Sequence, residues 1–138
     1  MRVVLDTNVV ASALLWGGTP ERLIELAGDG ALDLFTSPAL LEEFACIVAR
    51  DKFAKKLAQK NLSAAEIVAS YREIAESVEA APIEAPGLRD PDDAAVLACA
   101  VAAGVDAIVS GDGDLHALGS YRGIPVLTAA ECLRRITA

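Results

Sequence analysis

The acidic residues of this sequence are the side chains best placed to do chemistry, because they recur where strands end and helices begin. They occur in four places: Asp6, Glu42 with Glu43, the cluster Asp90, Asp92 and Asp93, and Asp112 with Asp114. Carboxylates brought together repel one another and stay ionised only when a cation compensates their charge. Oxygen ligands alone favour Mg²⁺ or Mn²⁺ over zinc, and Mg²⁺ is commonly shared with substrate phosphates. The acids therefore predict a metal-dependent phosphodiester hydrolase, which needs no histidine.

Asp6 and Asp112 each follow a short apolar run that is typical of a buried strand. Residues 3–5 precede Asp6, and residues 107–110 lead to Asp112. Ligands of open α/β sheets bind beyond the carboxyl ends of the strands, so we expect both carboxylates at one edge of a parallel sheet. A simpler interpretation of Asp6 is that it caps the helix that follows it. Asp114 lies in the same predicted loop as Asp112 and could replace or assist it.

Glu43, rather than Glu42, is expected to face the site. A helix turns by ~100° per residue, and its apolar residues should form a stripe that packs on the core. That stripe consists of Leu40, Leu41, Phe44, Ile47 and Val48. Glu43 lies at its margin, whereas Glu42 points away from it. The simpler interpretation is a surface glutamate whose stem packs against the edge of the core.

The Asp-Pro-Asp-Asp segment at residues 90–93 offers three acids where a site needs one. Asp90 is the expected N-cap, ahead of a proline at the first helical position. Asp93 shares a helix face with Leu97, which should be buried, so we expect Asp93 to point toward the sheet. Asp92 is the less favoured choice, although the pattern alone leaves all three acids open.

Strand and helix patterns alternate along the 138 residues. The predicted strands are residues 3–5, 32–36, 107–110 and 125–127, with a short one near Ile83. The predicted helices are residues 9–15, 20–27, 39–50, 94–103, a long one from the capping box at 63–66 to about Val78, and a closing one from the capping box at 128–131. Residues 111–116 are expected to form a loop. This pattern predicts a single domain over residues 1–138, a three-layer α/β/α sandwich with a mostly parallel sheet.

The formal net charge of −8, from 20 acids against 12 lysines and arginines, argues against binding nucleic acid by bulk charge. One segment is an exception, since residues 50–60 contain five basic residues and one acid. It is either a solvated helix face or a local phosphate-binding patch for RNA, formed by Arg50, Lys52, Lys55, Lys56 and Lys60.

The remaining composition bears on the cellular setting. The three cysteines are scattered through apolar helical patterns, which indicates reduced core residues rather than disulfides or a zinc site. No apolar run approaches the ~20 residues needed to span a bilayer, and the first residues do not resemble a signal peptide. We therefore expect a soluble, cytoplasmic protein without a membrane partner.

With these residues placed, the sequence resembles the PIN-domain ribonucleases, most closely their toxin-like, VapC-like branch. The matching segments are residues 4–8, 37–44, 90–98 and 108–115, in that order and spacing. The resemblance implies a Mg²⁺- or Mn²⁺-dependent endoribonuclease whose acidic quartet falls on Asp6, Glu43, Asp93 and Asp112. It also implies that three polar residues support the site: Thr7, Asn8 and Ser110. Family members often form homodimers, and toxin members pair with a small antitoxin.

Other functions compete with this one. A PIN-like domain could bind RNA or a partner without cutting, which a metal-dependent cleavage assay would reveal. A haloacid-dehalogenase-like phosphatase also carries an aspartate after its first strand, but it requires a second aspartate where this chain has Asn8. A phosphoryl-receiver domain would need a lysine after the last parallel strand, where Thr128 and Ala129 stand.

Overall fold

The computed structural model describes residues 1–84 and 88–137. The strands there are β1 (Arg2–Leu5), β2 (Asp33–Thr36), β3 (Glu76–Ser77), β4 (Ala107–Val109), β5 (Ser120–Tyr121) and β6 (Ile124–Leu127). The helices are α1 (Thr7–Leu15), α2 (Thr19–Gly28), α3 (Pro38–Val48), α4 (Asp51–Gln59), α5 (Ala64–Ile74), α6 (Pro91–Ala103), α7 (Gly113–Leu118) and α8 (Ala129–Thr137). None of the helices in this part of the chain is long and apolar enough to cross a bilayer.

The strands form one sheet in the order β3-β2-β1-β4-β6-β5. Every neighbouring pair is parallel except β5 with β6, which form an antiparallel edge. In the centre, Leu5 of β1 lies opposite Val109 of β4. The amide of the next residue, Asp6, donates a hydrogen bond of 2.8 Å to the carbonyl of Val109. The residues that follow β1 and β4 are therefore neighbours at one edge of the sheet.

Both faces of the sheet are covered, which confirms the predicted three-layer α/β architecture. Along β1, Val3 and Leu5 belong to one apolar cluster, which includes residues of α1, α2, α5 and α8. Val4 points to the opposite face, into a second cluster that contains most of the buried side of α6. Strands buried on both faces are continuous apolar runs, which is why β1 and β4 could be identified from sequence.

Local capping signals fix several helix ends. Ser63 and Glu66 form the predicted reciprocal capping box at the start of α5. Thr128 and Glu131 make the equivalent pair of hydrogen bonds at the start of α8, at 3.0 and 3.1 Å. At the carboxyl end of α6, Gly104 adopts the left-handed conformation in which many helices end, with φ of 60°.

Several predicted elements were wrong. The helix expected to reach Val78 ends at Ile74, because the chain then pairs with β2 as β3, and the amide of Val78 donates to the carbonyl of Thr36. Ile83 lies in no strand. The loop expected at residues 111–116 contains the start of α7.

The cysteine prediction was partly wrong as well. Cys99 and Cys132 are buried as expected, and all three cysteines are free. Cys46 is exposed on α3, on the side of the helix away from its apolar stripe.

Candidate active site

Asp6 lies at the carboxyl end of β1 and is only 6% exposed. Although it occupies the N-cap position of α1, its side chain accepts no capping hydrogen bond from the described amides of that helix. Its Oδ2 instead accepts a hydrogen bond of 2.7 Å from Ser110 Oγ. Burial raises the pKa of Asp6, and this outweighs the hydrogen bonds from Ser110 and Thr7, which lower it. Simple helix capping therefore does not account for Asp6.

Glu43 reaches the same edge of the sheet from α3. Thr7 Oγ1 donates to Glu43 Oε1 at 2.9 Å and lies 3.5 Å from Asp6 Oδ1, so Thr7 stands between the two acids. The other oxygen, Glu43 Oε2, is buried and has no hydrogen-bond partner among the described residues. Burial raises the pKa of Glu43 to about 7, and the negative charges of Asp92, Asp6 and Asp90 add to the effect.

A second group of acids lies beside this pair. Asp93, Asp112 and Asp114 each place one carboxylate oxygen within 4.8 Å of those of the other two. Asp93 is 6% exposed in the first turn of α6. Burial raises its pKa to about 7, with further contributions from a hydrogen bond to Asp112 and from the charges of Asp112, Asp90 and Asp6. Asp112 also caps α7, since its Oδ2 accepts from the Leu115 amide.

Ser110 connects the two groups. Its hydroxyl donates to Asp6 Oδ2 and accepts a hydrogen bond of 2.9 Å from the amide of Asp112. The side chain is 1% exposed, so neither bond is shared with bulk solvent. Its carbonyl oxygen lies 2.6 Å from His116 Nε2. Because a carbonyl only accepts, Nε2 must carry the hydrogen, and His116 therefore orients the backbone of Ser110.

These side chains fit a divalent cation such as Mg²⁺ or Mn²⁺. The donors are all carboxylate oxygens, which hard cations prefer. One of them, Glu43 Oε2, is buried without a partner, and two of the acids have a pKa raised to about 7 by an environment that disfavours their charge. No ion pair in the described part of the chain compensates them, since the one found there joins Arg22 to Glu25. Of the acids that could hold the cation, Asp93, Asp112 and the exposed Asp114 lie within ligand distance of one another. Asp6 and Glu43 stand beside this group, connected to it through Ser110 and Thr7, and are not part of it.

The other predicted site residues occupy different surroundings. Thr7 is buried, whereas Asn8 is exposed and lines a cavity of about 510 Å³ together with Ser110 and Asp112. Glu42 and Asp92 are both exposed. The negative charge of Asp92 nevertheless raises the pKa of Glu43, so the segment at residues 90–93 acts on the site through Asp92 as well as through Asp93.

The basic segment lies on and around α4. Lys56 is half-buried, and the other four are exposed: Arg50, Lys52, Lys55 and Lys60.

Sequence reasoning did not identify His116 as part of the site. The available signal was its position four residues after Asp112, which becomes one helical turn once Asp112 is recognised as a cap, and the His116 amide does donate to the Asp112 carbonyl.

Comparison with known proteins identifies the family. A family model described as PIN domain matches residues 2–114. The chain belongs to the PIN-domain family. The matched segment of the PIN domain contains every acid of the candidate site, from Asp6 to Asp114.

A solved structure agrees with the PIN-domain fold. A chain of the crystal structure of VapBC2 from Rickettsia felis, bound to a DNA fragment from their promoter, superposes with a TM-score of 0.63. The match covers 93% of this chain and 98% of that chain at 14% sequence identity, which establishes a common fold and no more. Among curated proteins, none matches the chain significantly.

Proposed function

We propose that this PIN-domain protein is a Mg²⁺- or Mn²⁺-dependent endoribonuclease. The observation that carries the proposal is the cluster of Asp93, Asp112 and Asp114, whose carboxylate oxygens lie within 4.8 Å of one another at the carboxyl edge of the sheet. Beside it are Asp6, linked through Ser110, and a buried Glu43 oxygen that has no partner among the described residues. Carboxylates held close together repel one another, and the buried ones among them lower stability unless a cation compensates their charge. A divalent cation that binds phosphate is the partner that such oxygen donors suit best.

In this proposal Asp6, Glu43, Asp93 and Asp112 hold the metal, with Asp114 as a further ligand. A bound divalent cation supplies charge neutralisation at the phosphate oxygens and activates water for hydrolysis. The chain itself fixes the carboxylates in place. Thr7 positions Glu43, and Ser110 positions both Asp6 and the backbone of Asp112. These hydroxyls are positioning groups, and Asn8, exposed at the rim of the cavity, is available to substrate.

We further propose that the protein acts as the toxin of a toxin–antitoxin pair, forms a homodimer and works in the cytoplasm. The support is the sequence resemblance to the VapC-like branch together with the fold shared with a chain of the VapBC2 structure. The partner would be a small antitoxin encoded beside this chain. A neighbouring reading frame for a small DNA-binding protein would be consistent with this role, and co-purification of its product would test it.

Cleavage of single-stranded or loop RNA by purified protein tests the nuclease. We expect cleavage with Mg²⁺ or Mn²⁺ and none with EDTA. Asp6→Asn should reduce the rate by about a hundredfold or more, as expected when an interaction that stabilises the transition state is removed. Asp33→Asn is the matched control, because Asp33 is exposed at the amino end of β2.

The outcomes separate the competing functions. Full activity in EDTA, or equal activity of the two variants, would refute the metal mechanism. RNA binding without cleavage under all metal conditions would indicate a binding domain. Hydrolysis of small phosphate monoesters in place of RNA would favour a phosphatase.

A further inference from the structure

Trp16 is an aromatic side chain that the proposed metal site does not use. It is the sole tryptophan of the chain and is 55% exposed at the end of α1. The buried ring of Phe53 contacts it edge-on, with 5.4 Å between ring centroids and 65° between planes. A single exposed apolar side chain needs no explanation by itself, so the case for a binding surface rests on what surrounds Trp16.

A continuous surface joins Trp16 to the candidate site. Asn8, Ser12 and Trp16 are spaced four residues apart, so they form one stripe along α1 that spans about 12 Å. Asn8 and Ser12 line the cavity beside Asp112. The same two residues also line a second cavity, of about 390 Å³, together with Trp16, Lys52 and Phe53. Because the two cavities share Asn8 and Ser12, they form one groove that runs from Asp112 to the indole of Trp16.

Positive charge accompanies the aromatic rings at this end of the groove. Lys52 Nζ lies 5.0 Å from the centre of the Phe53 ring, and Lys56 Nζ lies 5.9 Å from the centre of the Trp16 ring. Neither lysine takes part in an ion pair with the residues that the structure describes. In a chain of net charge −8, these two cations are thus free to attract an anion. They are also the members of the basic segment that contact this aromatic pair.

We propose that Trp16 is a stacking platform for a base of single-stranded RNA, and that Lys52 and Lys56 bind the phosphates flanking that base. The inference rests on the proposed nuclease function for its substrate. An aromatic side chain with neighbouring cations binds single-stranded nucleic acid with little sequence preference, because every base offers a stacking face. Trp16 lies ~12 Å along α1 from Asn8, which is at the end nearer the acids. The stacked base would therefore belong to a nucleotide beyond the one whose phosphodiester bond is cut. A duplex cannot use the platform, since its bases are stacked on each other.

Intrinsic fluorescence tests the platform directly, because Trp16 is the only emitter of its kind. The full chain is titrated in EDTA, which prevents metal-dependent cleavage, with eight-nucleotide oligo(A), with oligo(U) and with a G·C-rich duplex of the same length, which stays paired under these conditions. We expect the single strands to quench the emission and the duplex to leave it nearly unchanged. By anisotropy of labelled oligonucleotide, Trp16→Ala should weaken binding about tenfold or more, whereas Trp16→Phe should retain most of it.

The two lysines are tested through salt dependence. Lys52→Ala should weaken binding and lower the slope of log affinity against log salt by roughly one unit or less, as expected for one lost phosphate contact. Arg72→Ala, which removes an exposed positive charge on α5, is the matched control and should change neither quantity. Thermal melting shows whether Trp16→Ala folds. If Trp16→Ala does not fold, quenching of the wild-type emission by single strands and binding by Trp16→Phe still test the platform.

The outcomes distinguish this inference from the nuclease proposal. RNA that is cleaved and bound without quenching, and bound equally by Trp16→Ala, would overturn the platform and leave the nuclease intact. That result would make Trp16 a surface for something other than RNA, such as a protein partner. Quenching and Trp16-dependent binding without any cleavage would support the platform and refute the nuclease. Failure of the wild type to bind single strands would overturn the platform.

Discussion

Replacing Glu43 by glutamine should stabilise the metal-free protein at high pH and leave it unchanged at low pH. The pKa of Glu43 is about 7 in the folded chain, against an ordinary value of 4.5. Between these values the folded protein binds more protons than the unfolded chain, so the wild type loses stability as the pH rises through this window. The glutamine side chain does not ionise in this pH range, so the variant does not lose this part of its stability. The difference between variant and wild type should therefore appear above pH 4.5 and be complete above pH 7.

The size of this effect follows from the raised pKa. A change from 4.5 to about 7 corresponds to about 3 kcal/mol at 1.36 kcal/mol per pKa unit. Glu43 is half-buried, so solvent screening reduces the expected gain to about 1–2 kcal/mol. For a chain of this length, such a gain raises the melting temperature by roughly 3–8 °C.

Thermal melts in EDTA at pH 4.5 and pH 8.5 measure the gain. The substitution should preserve the local structure, because a glutamine oxygen can still accept the hydrogen bond from Thr7. Glu42→Gln is the control, since it changes the adjacent, exposed glutamate in the same way and should stay within ~0.5 kcal/mol of the wild type. With Mg²⁺ or Mn²⁺ present, RNA cleavage by Glu43→Gln should fall about a hundredfold or more, and Glu42→Gln should cleave normally.

Two results would refute this reasoning. A stability difference that does not depend on pH would mean that ionisation of Glu43 is not opposed by its surroundings. A stabilised, inactive Glu42→Gln beside an unaffected Glu43→Gln would mean that α3 presents the other glutamate to the acids.

Three further predictions concern the metal, the serine bridge and a helix end. Mg²⁺ or Mn²⁺ should raise the melting temperature of the wild type, and more at pH 8 than at pH 5, because protons compete with the cation for the raised-pKa acids. Ser110→Ala should lower the free energy of unfolding by about 1–3 kcal/mol in urea titrations, because Asp6 and the Asp112 amide lose their partner. Gly104→Ala should lower it by about 1 kcal/mol through its left-handed φ, whereas Gly28→Ala, in helical conformation, should not.

The elements that sequence predicted well are those that depend on local physics. β1 and β4 are apolar runs buried on both faces, and their composition alone distinguishes them from surface segments. The starts of α5 and α8 are set by capping boxes that close within four residues, at Ser63 and Thr128. Such signals predicted β1, β2, β4 and β6 and the longer helices between them in the order that the structure has, but not the short elements β3, β5 and α7 or the separate helix α4.

The elements that sequence missed depend on distant contacts or are too short to show a pattern. The Glu-Ser-Val segment after Ile74 would suit a longer helix, but its backbone pairs with β2, which lies some forty residues earlier in the chain. α7 has six residues, fewer than two turns, and begins with Gly-Asp, which is typical of turns. Tertiary pairing decided the first case, and a side-chain cap at Asp112 decided the second.

For the candidate site, the face of each element that carries an acid was predictable, and so was the shared edge of the sheet for Asp6 and Asp112, but the spacing between the acids was not. The helical wheel predicted the rotation of α3 that turns Glu43 inward and leaves Glu42 exposed. How closely the acids approach one another depends on distances between elements, which no local pattern contains. The approach of Asp93, Asp112 and Asp114 to one another is a property of how α6 meets the end of β4.

The order of the strands in the sheet has a consequence for synthesis. Asp6 and Ser110 are joined by a hydrogen bond across 104 positions of the chain, because β1 pairs with β4. A growing polypeptide that ends before β4 already contains Asp6, Glu43 and Asp93, but it has neither the neighbouring strand nor the Ser110 hydroxyl that bonds to Asp6. Parallel strands that are far apart in sequence can pair only after the whole chain segment between them has been synthesised. Fragments that stop short of β4 would thus lack the edge of the sheet at which the acids meet, so interrupted translation would yield chains without an assembled candidate site.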